Sequence, residues 1–432
     1  MKSILKTLSA VALTGVMVLP VLADDTTSTT DTDGKDQKDL KKVIEDQGIN
    51  YVETAQKGIT LSGYVDTSYT DQFTGSHVFS SSGSGGTAAG SYARQFDTDQ
   101  NGFNIQAVKL ALEKALPDKN DWAAGFRVDM IYGADANYLK DSAFNPGTNT
   151  GLALEQALVK FRIPVGNGLD IYAGKFVTFL GYEVIESPAN PNFSRGLLFT
   201  NAIPLTHTGV YGDYKFNDTF EAKFGVVDGW NNSTSVPNGS DNTFGGKAIT
   251  GQLNINAPGK NANITQSFIY SPQNDPGALA AGAPTGEAAP GSGGNPVFVY
   301  DIWGNWNPTI DKNGNTTLGF NLDYGYDSYS WYGAALYAQY KLTKVITLAG
   351  RGEYLHSDAN AGKFGAGGIT GADGVFTPSS QDDYSLTATL SFAVWDNLLT
   401  RAEYRFDDLS GGTTGVGSTT QNEVSLEAVY SF

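Results

Sequence analysis

From Ile59 onward, apolar and polar residues alternate in segments of about ten residues, and the last segment shows the pattern most cleanly. In "NEVSLEAVYSF" (422–432), Val424, Leu426, Ala428, Tyr430 and Phe432 share one face of a strand. Glu423, Ser425, Glu427 and Ser431 share the other, with Val429 among them. A period of two places successive side chains in two different environments, as a β-strand does. Similar segments recur as "ITLSGYVDTSYT", "FNIQAVKLALEKAL", "WAAGFRVDMIYG", "LEQALVKFRI", "LDIYAGKFV", "HTGVYGDYKF" and "FEAKFGVVDGW". After these come "GGKAITGQLNI", "NITQSFIYS", "VFVYDIWGNW", "TTLGFNLDYGY", "WYGAALYAQYKL", "VITLAGRGEYLH", "DYSLTATLSFAVW" and "LLTRAEYRFDD". With the terminal segment, the pattern predicts sixteen strands over 59–432.

The connections fall into two classes that alternate along the chain. Short turns include "PDKND", "PVGNG", Asn217–Asp218, "NAPGKN", Thr343–Lys344 and Asp396–Asn397. Long connections rich in Gly, Ser, Asn and Thr span 71–101, 133–152, 178–204, 231–242, 272–296, 357–382 and 408–420; the one near 326–330 is brief. Such alternation puts all turns at one end of an antiparallel sheet and all loops at the other. Closed into a barrel, this is the arrangement of bacterial outer-membrane proteins, with turns in the periplasm and loops outside. An even strand count then predicts both termini in the periplasm.

Charge assigns the two faces. Arg127 with Asp129, Lys160 with Arg162, Lys223 with Glu221, Arg351 with Glu353, and Arg401 with Glu403 and Arg405 all lie opposite apolar residues of their own strands. An Arg or Lys facing lipid at the midplane costs about 2–4 kcal/mol. The charged face is therefore expected to line a wet lumen, either freely or as ion pairs that brace the wall. Trp230, Trp303, Trp331 and Trp395, near strand ends, are expected in interfacial girdles.

Composition changes the picture at a few points. The net charge of −17 argues against nucleic acid as a partner, and the absence of cysteine removes disulfide and thiol chemistry. Lys2 and Lys6, the apolar "LSAVALTGVMVLP" and the small-residue site at 21–23 predict a signal peptide over 1–23, cleaved after Ala23. Residues 24–58 begin with "DDTTSTTDTDGKDQKD" and are expected to form a disordered periplasmic tether. Leu40, Val43 and Ile44, at helical spacing, allow a short helix around 37–47. "DTDG" lacks the remaining ligands of a calcium loop, and "SSGSGGTAAGS" (81–91) lacks the Lys-Ser/Thr pair of a phosphate loop, so no metal or cofactor is expected.

"SGYVDTSY" at the opening of the barrel and the hairpin "VKFRIPVGNGLDIYAGKF" are the main points of a family likeness. The third loop adds Gly181, Glu183, Asn190, Arg195, Pro204, His207, Thr208 and Gly209. Through these the chain resembles the β-barrel porin family of OmpL-like outer-membrane proteins; beyond them the C-terminal half matches only in strand style. The resemblance implies a pore-forming diffusion channel for small hydrophilic solutes or ions, and brings no catalytic residues. The C-terminal strand, ending on Tyr430 and Phe432, looks like the signal read by the outer-membrane assembly machinery. A homotrimer is the assembly suggested by analogy with porins of this size.

The third loop, "GYEVIESPANPNFSRGLLF" (181–199), carries Phe193, Leu197, Leu198 and Phe199 and is less Gly/Ser-rich than the other long loops. It is expected to fold against something, either bending into the barrel or capping its mouth. In the first case Glu183, Glu186 and Arg195 are the candidates for a charged constriction, because rings of charged side chains set pore selectivity. Two other functions compete with a pore. One is a non-conducting structural barrel. The other is an outer-membrane enzyme built on a rim histidine, since His77, His207 and His356 all fall in or beside predicted loops; no nucleophile motif accompanies them.

Overall fold

The computed structural model describes residues 58–74, 96, 101–139, 151–229, 247–272, 296–311, 313–326, 330–358, 369–370, 376–377, 381–410 and 419–432. The signal-peptide and tether expectations, His77, Trp230 and the 81–91 segment lie outside them.

Sixteen strands form one closed antiparallel barrel. They are β1 (Ile59–Thr74), β2 (Gly102–Lys114), β3 (Ala123–Tyr132), β4 (Leu152–Ile163), β5 (Leu169–Val177), β6 (Thr206–Lys215), β7 (Phe220–Val227) and β8 (Ala248–Asn256). β9 (Ala262–Ser271), β10 (Val297–Trp306), β11 (Thr316–Tyr326), β12 (Ser330–Lys341) and β13 (Ile346–Ser357) follow. β14 (Ile369–Thr370) and β15 (Phe376–Thr377) are a separate two-residue hairpin inside a long connection, which the strand-length pattern had not predicted. β16 (Gln381–Trp395), β17 (Leu398–Ser410) and β18 (Thr419–Ser431) complete the wall.

Each barrel strand pairs with its sequence neighbour, and β18 returns to β1. At that seam the backbone N–H groups of Gly63 and Phe432 each donate to the other's carbonyl, at 3.0 and 2.9 Å. Closure leaves no strand edge unpaired, which a sheet in lipid requires. Local chemistry fixes the short turns. Asn217 Oδ1 accepts the amides of Thr219 and Phe220, Thr343 Oγ1 accepts those of Val345 and Ile346, and Asp311 accepts those of Asn313, Asn315 and Thr316. In the β4–β5 turn, Gly166 and Gly168 adopt φ of 60° and 98°, which residues with a Cβ rarely take.

The two faces separate as the alternation predicts. Val424, Leu426, Tyr430 and Phe432 are exposed on the outside of β18, while Glu423, Ser425, Glu427 and Val429 are buried on the inside. The same parity places Arg127, Asp129, Lys160, Arg351, Glu353, Arg401, Glu403 and Arg405 inward and buried. Two of the girdle expectations are corrected. Trp303 and Trp331 face inward and are buried, because on β12 Tyr332, Leu336 and Tyr340 take the outer face and leave Trp331 with Ala335 and Tyr337. Trp395 is exposed, as are Trp122 and Trp306, which the sequence reading had not singled out.

Candidate functional site: the third loop and the barrel lumen

The connection between β5 and β6 (178–205) leaves and re-enters the wall at one point, where the Thr178 amide bonds to the Leu205 carbonyl at 2.9 Å. Between those residues the chain is mostly buried, including Phe193, Leu197, Leu198, Phe199, Ala202 and Ile203. It contains a 3₁₀ turn (Ser187–Ala189) and a π-helical turn (Leu198–Ala202). Buried irregular backbone must find hydrogen-bond partners outside itself. Here the partners are the inward-facing side chains of the barrel, which places this loop against the inner wall rather than only over its mouth.

Glu403 on β17 accepts the amides of Phe193 and Ser194 at 2.6 and 3.0 Å. Arg401 donates to the carbonyls of Ser187 and Asn190 at 2.9 and 3.0 Å, and Arg405 to that of Arg195 at 2.7 Å. From β13, Arg351 reaches the Ser194 carbonyl at 2.6 Å and the carboxylate of Glu183 at 2.7 Å. On β18, Glu427 accepts from the Ser187 hydroxyl at 2.6 Å and pairs with Arg401. Across the barrel, the loop's Phe179 carbonyl accepts from Gln252 on β8 and Ser267 on β9. Tyr182 stacks on Tyr337 with ring centroids 4.0 Å apart, and its hydroxyl donates to Asn305 on β10 at 2.8 Å. Gly319 on β11 makes room for it, since a Cβ there would meet the Tyr182 hydroxyl at 2.6 Å. Trp331 completes the seat by donating its indole N–H to the Ala202 carbonyl at 3.0 Å.

The three constriction candidates occupy different places. Glu183 pairs with Arg351 and also accepts the Gly196 amide at 2.5 Å. Arg195 pairs with Asp135 at 2.5 Å and lies 4.7 Å over the Phe96 ring. Asp135 belongs to α1 (Ala134–Tyr138), so loops one, two and three meet at this guanidinium. Burial, only partly offset by Arg195 and by the Gln106 side chain, pushes the Asp135 carboxyl up to about 6. Glu186 pairs with Lys109 of β2, whose ammonium also reaches Glu155 at 2.7 Å and Asp129 at 3.1 Å. Asp129, Glu155 and Glu186 are close enough together to surround a metal ion, but the Lys109 ammonium already stands among them.

The remaining lumen candidates lie along β2–β7, nearer the short turns. Glu113 joins Arg127 (3.0 Å) and Lys160 in one group; Arg162 grips Asp170 with two hydrogen bonds of 2.6 and 2.7 Å. Lys223 lies near Glu221 at 3.9 Å and donates to Gln252. Their paired state matches the bracing alternative left open for these charges. Sequence reasoning missed Asp135, Lys109, Glu427 and Trp331 as seat residues. Parity had already put Glu427 on the polar face, and parity alone could have placed Lys109 and Trp331 inward.

Against known proteins, a family model described as "Putative beta-barrel porin-2, OmpL-like" matches residues 58–432. The chain belongs to this family. No curated protein matches this porin at a significant level. Solved structures share its fold. The outer-membrane channel DcaP of Acinetobacter baumannii is 12% identical with a TM-score of 0.54, over 87% of this chain and 97% of that one. An anion-selective porin from Comamonas acidovorans is 12% identical, TM-score 0.55, over 87% and 99%. OprB of Pseudomonas putida is 13% identical, TM-score 0.55, over 90% and 97%. The protein is thus a bacterial outer-membrane porin.

Proposed function

We propose that this porin is a passive diffusion channel for small hydrophilic solutes and ions, narrowed by the third loop. The observation that carries the reading is the loop itself. Its backbone is tied to inward-facing charges of β13, β17 and β18, so it occupies lumen that sixteen strands would otherwise leave open. The groups of β2–β7 near the turns, among them Glu113, Arg162, Asp170, Asp213, Glu221 and Lys223, keep partial exposure. Along that wall solutes would pass beside the loop, with Glu183, Glu186 and Arg195 setting its position. The short-turn end, where both termini of the barrel lie, is assigned to the periplasm by the usual orientation of such barrels. The same usage supports a homotrimer, which cross-linking in native membranes tests.

A catalytic reading finds less support. His207 is buried, 3.0 Å from the Thr178 hydroxyl and packed beside Phe176. His356 lies on the outer face, stacked on Tyr332 and hydrogen-bonded to Asp382 at 2.8 Å, which suits an interfacial anchor. Conductance of the refolded chain in a planar bilayer is the direct test. Stable open steps support the pore; a folded barrel that passes no current would turn the reading to a structural barrel.

A further inference from the structure

The third loop lies on the inner wall in two limbs held by different chemistry. Residues 183–196 rest on the guanidinium and carboxylate groups of β13, β17 and β18. Residues 179–182 rest on β8–β12, and there Asn321 on β11 holds the backbone. Its Oδ1 accepts the Tyr182 amide at 3.0 Å, and its Nδ2 donates to Asp301 Oδ2 on β10 at 2.6 Å. Asp301 also accepts the Gly181 amide. Asp323 stands directly across the ladder from Asp301, and the two buried carboxyl groups are hydrogen-bonded to each other. Asp301 Oδ1 and Asp323 Oδ2 find no N–H or O–H donor elsewhere, and no Lys or Arg among the described residues acts on either acid.

Two ionised carboxylates can only accept, so a hydrogen bond between them needs a proton on one. Like charges directly across a ladder repel, and two carboxyl groups this close do not both ionise. We infer that Asp301 and Asp323 share one proton and that, in this form, they position the first limb of the third loop. The donors assign the proton. Asp301 already collects the N–H groups of Asn321 and Gly181, so it is the acceptor, and Asp323 donates the shared proton to it. Asn321 is thereby fixed with Nδ2 towards Asp301 and Oδ1 towards the Tyr182 amide. Loss of the proton leaves two charges face to face, and Glu353 on β13 adds to the repulsion. Relief requires the acids to turn apart or to admit water, and either frees Asn321 and the Gly181–Tyr182 backbone. The other titratable or charged groups around this seat are Tyr182 and Tyr337, stacked on each other, and Arg351, which pairs with Glu353 at 2.8 Å. The second limb is held by guanidinium groups that stay charged at any working pH, so its seat does not depend on this proton.

The effect on conduction rests on the pore reading and the shared proton does not, so two measurements separate them. Infrared difference spectra of the folded protein in detergent at neutral pH would compare wild type with Asp323→Asn. The wild type is expected to show the C=O stretch of a protonated carboxyl that the variant loses; absence of that band overturns the inference. Single-channel steps in planar bilayers would then be recorded from neutral to about pH 10. The wild-type step is expected to rise, and to return when the pH is restored. The double variant Asp301→Asn/Asp323→Asn, two amides with no such proton, should lose the rise and hold its neutral-pH step throughout. A wild-type step that stays flat overturns the inference and leaves the pore standing. So does a rise equally large in the double variant, as ionisation of Tyr182 or Tyr337 would give. A folded barrel that passes no current sinks the pore reading and the effect on conduction with it, while the infrared band still decides the proton. Should the double variant fail to fold, Asp323→Asn, whose amide still donates to Asp301, takes its place.

Discussion

Glu403 shows at a single residue why charges line this lumen. Its two oxygens accept the amides of Phe193 and Ser194 in the loop. Removing the acceptors leaves buried N–H groups unpaired, at about 1–3 kcal/mol. Glu403→Ala is therefore expected to speed hydrogen exchange at Phe193 and Ser194, while Glu403→Gln, which keeps an acceptor, recovers part of the protection; equal exchange in all three would show that the contact holds nothing. Asp135 gives a pH-dependent counterpart. Its folded-state pKa of about 6 stands above the ordinary 3.8. A raised pKa favours the folded state fully below the unfolded value, and the benefit is lost as pH rises through the folded one. Stability should fall by up to about 3 kcal/mol between those values, and Asp135→Asn should flatten that fall in urea midpoints taken across the window. The inward placement of Glu403 was legible from parity with Arg401 and Arg405. Its partners lie about two hundred residues earlier, and no local pattern encodes a contact of that span. Trp303 and Trp331 show the reverse error, since proximity to a strand end suggested a girdle when the parity of their own strands already placed them inward.

As an element, the third loop is held more by ionic contacts to its backbone than by any side-chain interlock of its own. Its apolar residues announced that it would pack; the surface it packs on depended on closure of the barrel. Arg401 joins two of its carbonyls to Glu427. Arg401→Ala would strip those carbonyls of donors and leave Glu427 buried without its cation, a change that costs about 3–5 kcal/mol where a buried pair is broken from one side. The wall itself keeps its ladder hydrogen bonds. The loss should fall mainly on the loop's seating, giving larger or noisier single-channel steps without loss of the folded barrel. Steps identical to wild type would mean that the loop does not limit conduction. Gly325 offers a test of the opposite kind. A Cβ there would overlap the Trp331 indole, so Gly325→Ala should lower the unfolding midpoint by the equivalent of about 1–3 kcal/mol, and Gly350→Ala, whose Cβ would meet only the Thr387 carbonyl oxygen at 3.9 Å, serves as the control.

For the whole molecule, strand number and antiparallel order were readable because turns and loops alternate with different lengths and compositions, and each pair of strands shares a turn chemistry of its own. Closure depends on the last strand, whose partner β1 lies at the far end of the chain. There experiment can separate a role of Phe432 in closing the seam from a role in assembly. Its backbone exchanges two hydrogen bonds with Gly63, and its ring lies against that glycine, where a Cβ would meet Phe432 Cζ at 2.9 Å. It is also an exposed terminal aromatic of the kind that the family resemblance links to assembly. Deleting Phe432 removes both; Phe432→Ala keeps the backbone bonds and removes only the ring. If the residue serves chiefly to close the seam, deletion should lower the unfolding midpoint of protein refolded in vitro, and Phe432→Ala should do so much less. If it serves chiefly as an assembly signal, both variants should refold in vitro like the wild type yet accumulate poorly in the outer membrane. The free side-chain face points to the second outcome for the alanine variant, and the paired hydrogen bonds to the first for the deletion. Normal membrane levels of both would remove any special role from the last residue and leave closure to the rest of the β1–β18 ladder.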